Sequence, residues 1–217
     1  MILVPVKNLA HAKQRLASVL DQPARTKLAQ AMLFDVLQAL HTWSNRPEVS
    51  VVTSDDYATE LARQFNFHTI PDNLNRSETD AIQMATRICE TAGVDSTLVI
   101  PGDIPLIQRS ELEAIMSSAP DQGSVLVPSS DGRGSNAVFR RPAGLFPLRF
   151  GSDSFKPHLT AAKATRNPYV VLSLPGIGLD IDSPSDLAQL VAVPGSTHSQ
   201  RLIRSWGFSD IPVAVNA

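Results

Sequence analysis

Short, almost uniformly apolar runs alternate with longer stretches of helical period along nearly the whole chain, and this alternation restricts the fold more than any other feature. A strand that is apolar at every position must be covered on both faces, and helices returning between such strands make them parallel. Ile2–Val6, Val49–Thr53, 67–70, 97–100, 125–127, 136–139 and 169–174 read as strands. Asp21 reads as the cap of a helix with Pro23 in its first turn, where a missing N–H costs nothing. Leu28, Met32, Val36 and Leu40 then recur on one helical face. Further helices are expected over 57–64, 77–91, 110–117, 153–165 and 184–191. The implied fold class is α/β, with a mixed, mainly parallel sheet and helices on both faces.

At 217 residues the chain fits one full-cored domain, placed at 1–193. Pro194-Gly195-Ser196-Thr197 reads as a linker into a tail, 194–217. Trp206, Phe208, Ile211 and Val213 make that tail too apolar to stay in water. It is expected to pack on the body or on a second subunit, which makes a homodimer the expected assembly. The formal net charge of -2 supplies no broad basic field, so neither nucleic acid nor an anionic membrane is an expected partner. Any anion must be gripped by a local cluster. A lone cysteine, Cys89, allows no internal disulfide and fits a reducing, cytoplasmic setting. The apolar start at Met1 is too short to span a membrane and shows neither a basic leader nor a cleavage signal.

Ligands of open α/β sheets sit beyond the carboxyl ends of the strands, and polar residues gather there. The first strand empties into a loop carrying Lys7, Lys13 and Arg15, suited to neutralising a triphosphate. Its plainer reading is a solvated loop. It has neither a dinucleotide glycine fingerprint nor a P-loop. The strand ending near Ile100 leads into Pro101-Gly102-Asp103, which places a carboxylate well for holding Mg²⁺ against phosphate oxygens. In Asp180-Ile181-Asp182-Ser183-Pro184, alternation puts Asp180 and Asp182 on one face. The plainer reading of Asp182 is a helix cap. The small residues of Pro128 to Ala137 read either as an anion nest or as a hairpin turn. Gly151 and Ser152 lead into a helix start that favours an anion, with His158 read as a surface residue.

In this order the clusters resemble the guanylyltransferases that make the phospho-acid dinucleotide precursor of the deazaflavin coenzyme F420. The resemblance is carried by Pro5-Val6-Lys7 through Arg15-Leu16, Pro101 to Leu106, Gly132-Arg133-Gly134-Ser135-Asn136-Ala137, Phe150-Gly151-Ser152-Asp153-Ser154-Phe155 with His158, and Asp180 to Pro184. It extends to about Leu190. It implies a nucleotide-diphospho-sugar transferase type of fold, GTP as donor, Mg²⁺ as cofactor, and 2-phospho-L-lactate, phosphoenolpyruvate or 3-phospho-D-glycerate as acceptor. It maps acid binding onto Ser135, Gly151 and Ser154. The metal maps onto Asp103 with Asp182 or Asp180, Asp182 being the better match; from their own loop, Lys7, Lys13 and Arg15 are expected to hold the leaving diphosphate. Two departures stand out: Ser135 replaces the usual threonine, and Glu78-Thr79-Asp80 replaces the usual Gly-Leu-Asn. The alternatives are a nucleotidyltransferase acting on a molybdopterin or sugar phosphate, or a non-catalytic nucleotide-binding module.

Overall fold

The computed structural model describes residues 1–74, 76–151 and 153–208. The element order is β1 (Ile2–Val6), α1 (Gln22–Thr42), β2 (Val49–Thr53), α2 (Asp56–Gln64), β3 (His68–Pro71), α3 (Glu78–Thr91), β4 (Thr97–Val99) and α4 (Arg109–Ser117). It continues with β5 (Gly123–Pro128), β6 (Ser135–Arg141), α5 (Phe155–Ala164), β7 (Tyr169–Val171), α6 (Pro175–Gly178), α7 (Pro184–Ala192) and α8 (His198–Ser205). The strands form one sheet in the order β3-β2-β1-β4-β6-β5-β7. β1 runs parallel to β2 and β4, and β7 parallel to β5, whereas β6 opposes both of its neighbours. The mixed, mainly parallel sheet expected from the apolar runs is therefore present.

Alternation along β1 explains the two-sided cover. Ile2, Val4 and Val6 face a core shared with Leu28, Met32 and Val36 of α1, Leu112 of α4 and Leu187 of α7. Leu3 faces the other way, onto Ala81, Ile82 and Ala85 of α3 and Ala162 of α5. Each of the large side chains among these contributes roughly 1.5–3 kcal/mol by leaving water. Asp21 caps α1 as expected, its carboxylate accepting the Ala24 N–H at 2.8 Å.

The segment past Pro194 holds a helix, α8, that the sequence reading left as a tail. Thr197 caps α8 reciprocally with Gln200. The Asp35 carboxylate of α1 accepts the N–H groups of His198 and Ser199 at 2.7 and 2.8 Å. Ile203 is fully buried, and Trp206 and Phe208 pack against the main core. Ile211 and Val213 lie outside the described residues. No helix among the described residues is long and apolar enough to cross a membrane.

Candidate active site

Beyond β1 the chain makes two short 3-10 turns, Leu9–His11 and Gln14–Leu16, with Lys13 between them at φ 56. A side chain in the left-handed region costs about 1–2 kcal/mol, and here the bend turns the lysine stem inward. The Lys13 ammonium donates to Asp103 Oδ2 at 2.5 Å and to Asp182 Oδ1 at 2.8 Å. Burial alone would push this ammonium down, but the two carboxylates outweigh it and hold the group well above its ordinary value. For Asp182, burial acts to raise the carboxyl, and Lys13 and Arg15 together overcome it, leaving it below the usual range. Arg15 is largely exposed, 3.5 Å from Asp182 Oδ2. Lys7 takes a different partner, Asp72, at 2.6 Å.

The two acidic loops meet through backbone as well, since the Ile181 N–H donates to the Asp103 carbonyl at 3.2 Å. Gly102 lets this turn lie close to α1, because a Cβ there would sit 3.2 Å from Leu33 Cδ1. The cap of α7 is Ser183, reciprocated by Asp186, so the Asp182 carboxylate is not spent on capping. Asp180 and Asp182 border the same cavity while Ile181 is fully buried, as alternation required. Asp180 instead accepts the Asn136 side-chain amide at 3.0 Å, and burial pushes its carboxyl up.

Two carboxylate oxygens converging on one ammonium is a donor set that also fits Mg²⁺, which takes one or two carboxylates and completes its shell with phosphate and water. Among the described residues, no group of three or more His, Cys, Asp or Glu side chains could hold a metal. A cation here would share its shell with a ligand.

Residues 129–134 form the β5–β6 hairpin turn, which corrects the anion-nest reading. The N–H groups of Gly132, Arg133 and Gly134 are consumed by the Ser129 carbonyl, the Asp131 carboxylate and the Ser129 hydroxyl. The helix start is also different from expectation. α5 begins at Phe155, whose N–H goes to the Arg133 carbonyl, and Ser154 makes no capping bond. Ser154 Oγ accepts the Ser135 N–H at 2.9 Å. Gly151 adopts φ 125, a conformation that favours glycine. Ser152 lies outside the described residues. His158, read as a surface residue, is 1% exposed: one helical turn past Ser154, it points into the protein with its ring nitrogen 2.8 Å from Ser135 Oγ.

Two cavities flank the Lys13 cluster. One, of about 560 Å³, has apolar walls from Pro5, Val6, Leu9, Met32 and Leu33 and a charged floor of Lys13, Asp103 and Asp182. The other, of about 440 Å³, is bordered by Ser135, Gly151, Ser154 and Asp180. Asp103, Asp182, Arg15 and Glu78 border both. The first cavity is largely apolar and the second largely polar, bordered by hydroxyls, carboxylates and the guanidinium groups of Arg15 and Arg133, with the charged cluster where they join. A model of the family described as "Guanylyl transferase CofC like" matches residues 1–215. The chain belongs to this family.

Among other members, it is 34% identical to the phosphoenolpyruvate guanylyltransferase of Roseiflexus castenholzii, over 94% of this chain and 93% of that one. It is 26% identical to the 2-phospho-L-lactate guanylyltransferase of Methanobrevibacter smithii, over 93% and 88%. A Desulfovibrio desulfuricans protein described as a nucleotide-diphospho-sugar transferase superposes with a TM-score of 0.76 at 18% identity, over 94% and 93%. A cytidylyltransferase from Leptospira borgpetersenii superposes at 0.59 and 15%, over 95% and 92%. At such identities these two likenesses speak for the fold, which is the expected one.

In this family member the departing segment Glu78-Thr79-Asp80 has identifiable work. The Glu78 carboxyl is pushed up to about 7 by burial and by Asp103, against the pull of Lys13 and Lys7. Thr79 ties the Phe150–Gly151 loop to α3, its hydroxyl accepting the Phe150 N–H at 3.0 Å and donating to the Phe150 carbonyl at 3.3 Å. Asp80 takes part in the α3 cap, its N–H donating to Ser77 Oγ at 3.0 Å.

Proposed function

We propose that this chain transfers GMP from GTP to a small phosphorylated three-carbon acid, releasing pyrophosphate, in coenzyme F420 biosynthesis. The observation that carries the reading is the meeting of Asp103 and Asp182 on Lys13, between an apolar cavity and a hydroxyl-lined one. Family membership supports the chemistry. The acceptor phosphate oxygen forms a bond to the α-phosphorus of GTP while the bond from that phosphorus to the bridging oxygen breaks, and pyrophosphate departs with both electrons. A phosphate needs no general base near neutral pH, so the protein acts by alignment and charge neutralisation. In this reading Lys7, Lys13 and Arg15, which border one cavity, neutralise the donor phosphates, with Lys7 also bonded to Asp72. Ser135, Gly151 and Ser154 seat the acid. Asp103 and Asp182 would hold Mg²⁺, which supplies neutralisation of the phosphate oxygens when bound. A cytoplasmic setting fits these substrates.

Incubating the protein with GTP, Mg²⁺ and each of 2-phospho-L-lactate, phosphoenolpyruvate and 3-phospho-D-glycerate, then weighing the products by mass spectrometry, tests the reading. Pyrophosphate release with a GMP adduct of one acid is expected. Release with a sugar phosphate alone moves the protein to another acceptor class, and no release with any acceptor ends the proposal.

The two half-sites separate kinetically. Ser154→Ala is expected to raise the acceptor KM about ten- to a hundredfold, the effect of losing one hydrogen bond to a charged group. The KM for GTP should stay within about threefold. Steady-state kinetics varying each substrate decides, and a loss confined to GTP would reverse the assignment.

A further inference from the structure

Ser135 and Ser154 can serve an anion only if their hydroxyl protons point at it, and a hydroxyl rotor has no fixed direction of its own. The surroundings supply the direction. The Arg149 N–H donates to His158 Nε2 at 2.9 Å, so that nitrogen carries no proton. The ring is 1% exposed and packs edge-on against Phe150 at 5.2 Å. Burial and the Arg140 guanidinium push the imidazole down to about 4, so it is neutral under working conditions. A neutral ring with a bare Nε2 has its proton on Nδ1. That proton faces Ser135 Oγ at 2.8 Å. The Ser135 oxygen is therefore an acceptor toward the protein interior, and its own proton turns to the cavity that it borders.

We infer that His158 is a positioning residue that fixes the Ser135 hydroxyl as a hydrogen-bond donor to the acceptor's anionic oxygens. The same logic extends one residue outward. Ser154 Oγ accepts the Ser135 N–H at 2.9 Å, so its proton also turns to the cavity. The Arg149–His158 pair orients the Ser135 hydroxyl and the Ser135 backbone amide separately orients that of Ser154, so two hydroxyl protons face one cavity. Neutrality matters, because a protonated ring would need an acceptor at Nε2 where the Arg149 N–H stands. Arg140 is itself buried on β6, bonded to the Phe146 carbonyl at 2.6 Å and to the Thr86 and Thr97 hydroxyls. It holds a positive charge beneath the ring that opposes protonation.

This inference rests on the acceptor half-site proposed above, and paired variants test it. The asparagine side-chain amide falls where Nδ1 sits, whereas the glutamine amide reaches only to the Nε2 position. His158→Gln is expected to raise the acceptor KM by about tenfold or more, with the GTP KM within about twofold, and His158→Asn to recover most of that loss. In a Ser135→Ala background, His158→Gln should add nothing further to the acceptor KM, because the interaction it serves is already gone. Equal losses for both His158 variants in folded protein, additivity with Ser135→Ala, or a matching loss on GTP would overturn the inference. A readout free of substrate guards against variants that fail to fold and against failure of the proposed reaction. Long-range proton–nitrogen NMR of the unmodified protein should show the neutral ring protonated at Nδ1, and finding the proton on Nε2 overturns it.

Discussion

Replacing Asp103 with asparagine is expected to lower turnover by about a thousandfold or more, since a carboxylate that holds a catalytic cation supplies several kcal/mol of transition-state stabilisation. The fold should survive. The backbone carbonyl of Asp103, which accepts from Ile181, is untouched by the change, and the side chain is 31% exposed. Lys13 keeps Asp182 as a partner at 2.8 Å. Pyrophosphate release measured beside circular dichroism checks both halves of the expectation. Near-normal activity in folded protein would remove Asp103 from the reaction.

Lys13→Met should strike stability and chemistry together. The ammonium lies between two carboxylates that share no other cation at comparable distance, Arg15 being 3.5 Å from Asp182 and largely exposed. Removing one member of a fully buried ion pair costs about 3–5 kcal/mol. Here the carboxylates are 31% and 40% exposed, and solvent screening reduces the expected cost to roughly 1–3 kcal/mol. For a chain of this size that is a fall in Tm of about 2–12 °C. Turnover should drop by roughly a hundredfold or more, the usual effect of losing a preorganised donor at developing charge. Mg²⁺ should raise the Tm of the variant more than that of the parent, since in the parent the Lys13 ammonium already neutralises the same two carboxylates. Thermal melts with and without Mg²⁺ read this directly. An equal gain in both proteins would place the ion elsewhere.

How much of this was legible follows from what each residue could signal. Apolar runs located every strand to within a few residues, and Asp21 with Pro23 located the start of α1. Nothing in an apolar run states its direction, so the reversal of β6 came only with the register. The helix α8 carried a readable signal in Thr197 and Gln200, whose spacing is that of a capping box. Asp103 was legible because it follows a strand end, and Asp182 because it alternates with Asp180 in a short acidic segment. Their meeting on Lys13 was not, because 90 and 169 positions separate them from it. Lys7 meets the same limit: its pairing with Asp72, 65 positions away, was not legible. The burial of His158 was within reach, since Ser154 and His158 stand at helical spacing and share a face.

The reversal of β6 divides the molecule by how freely its parts can change. Asp103 follows β4, which the chain enters from α3 and leaves through α4, both packed on the sheet, so altering that loop disturbs packed connections. Ser135 opens a strand joined to its neighbour by a local hairpin turn. Doubling the length of such a turn costs only about 0.6 kcal/mol in closure entropy. A turn exchanged at 129–134 would therefore re-cut the edge of the cavity that Ser135 borders without altering the loop that carries Asp103. An engineer can graft hairpins in that place.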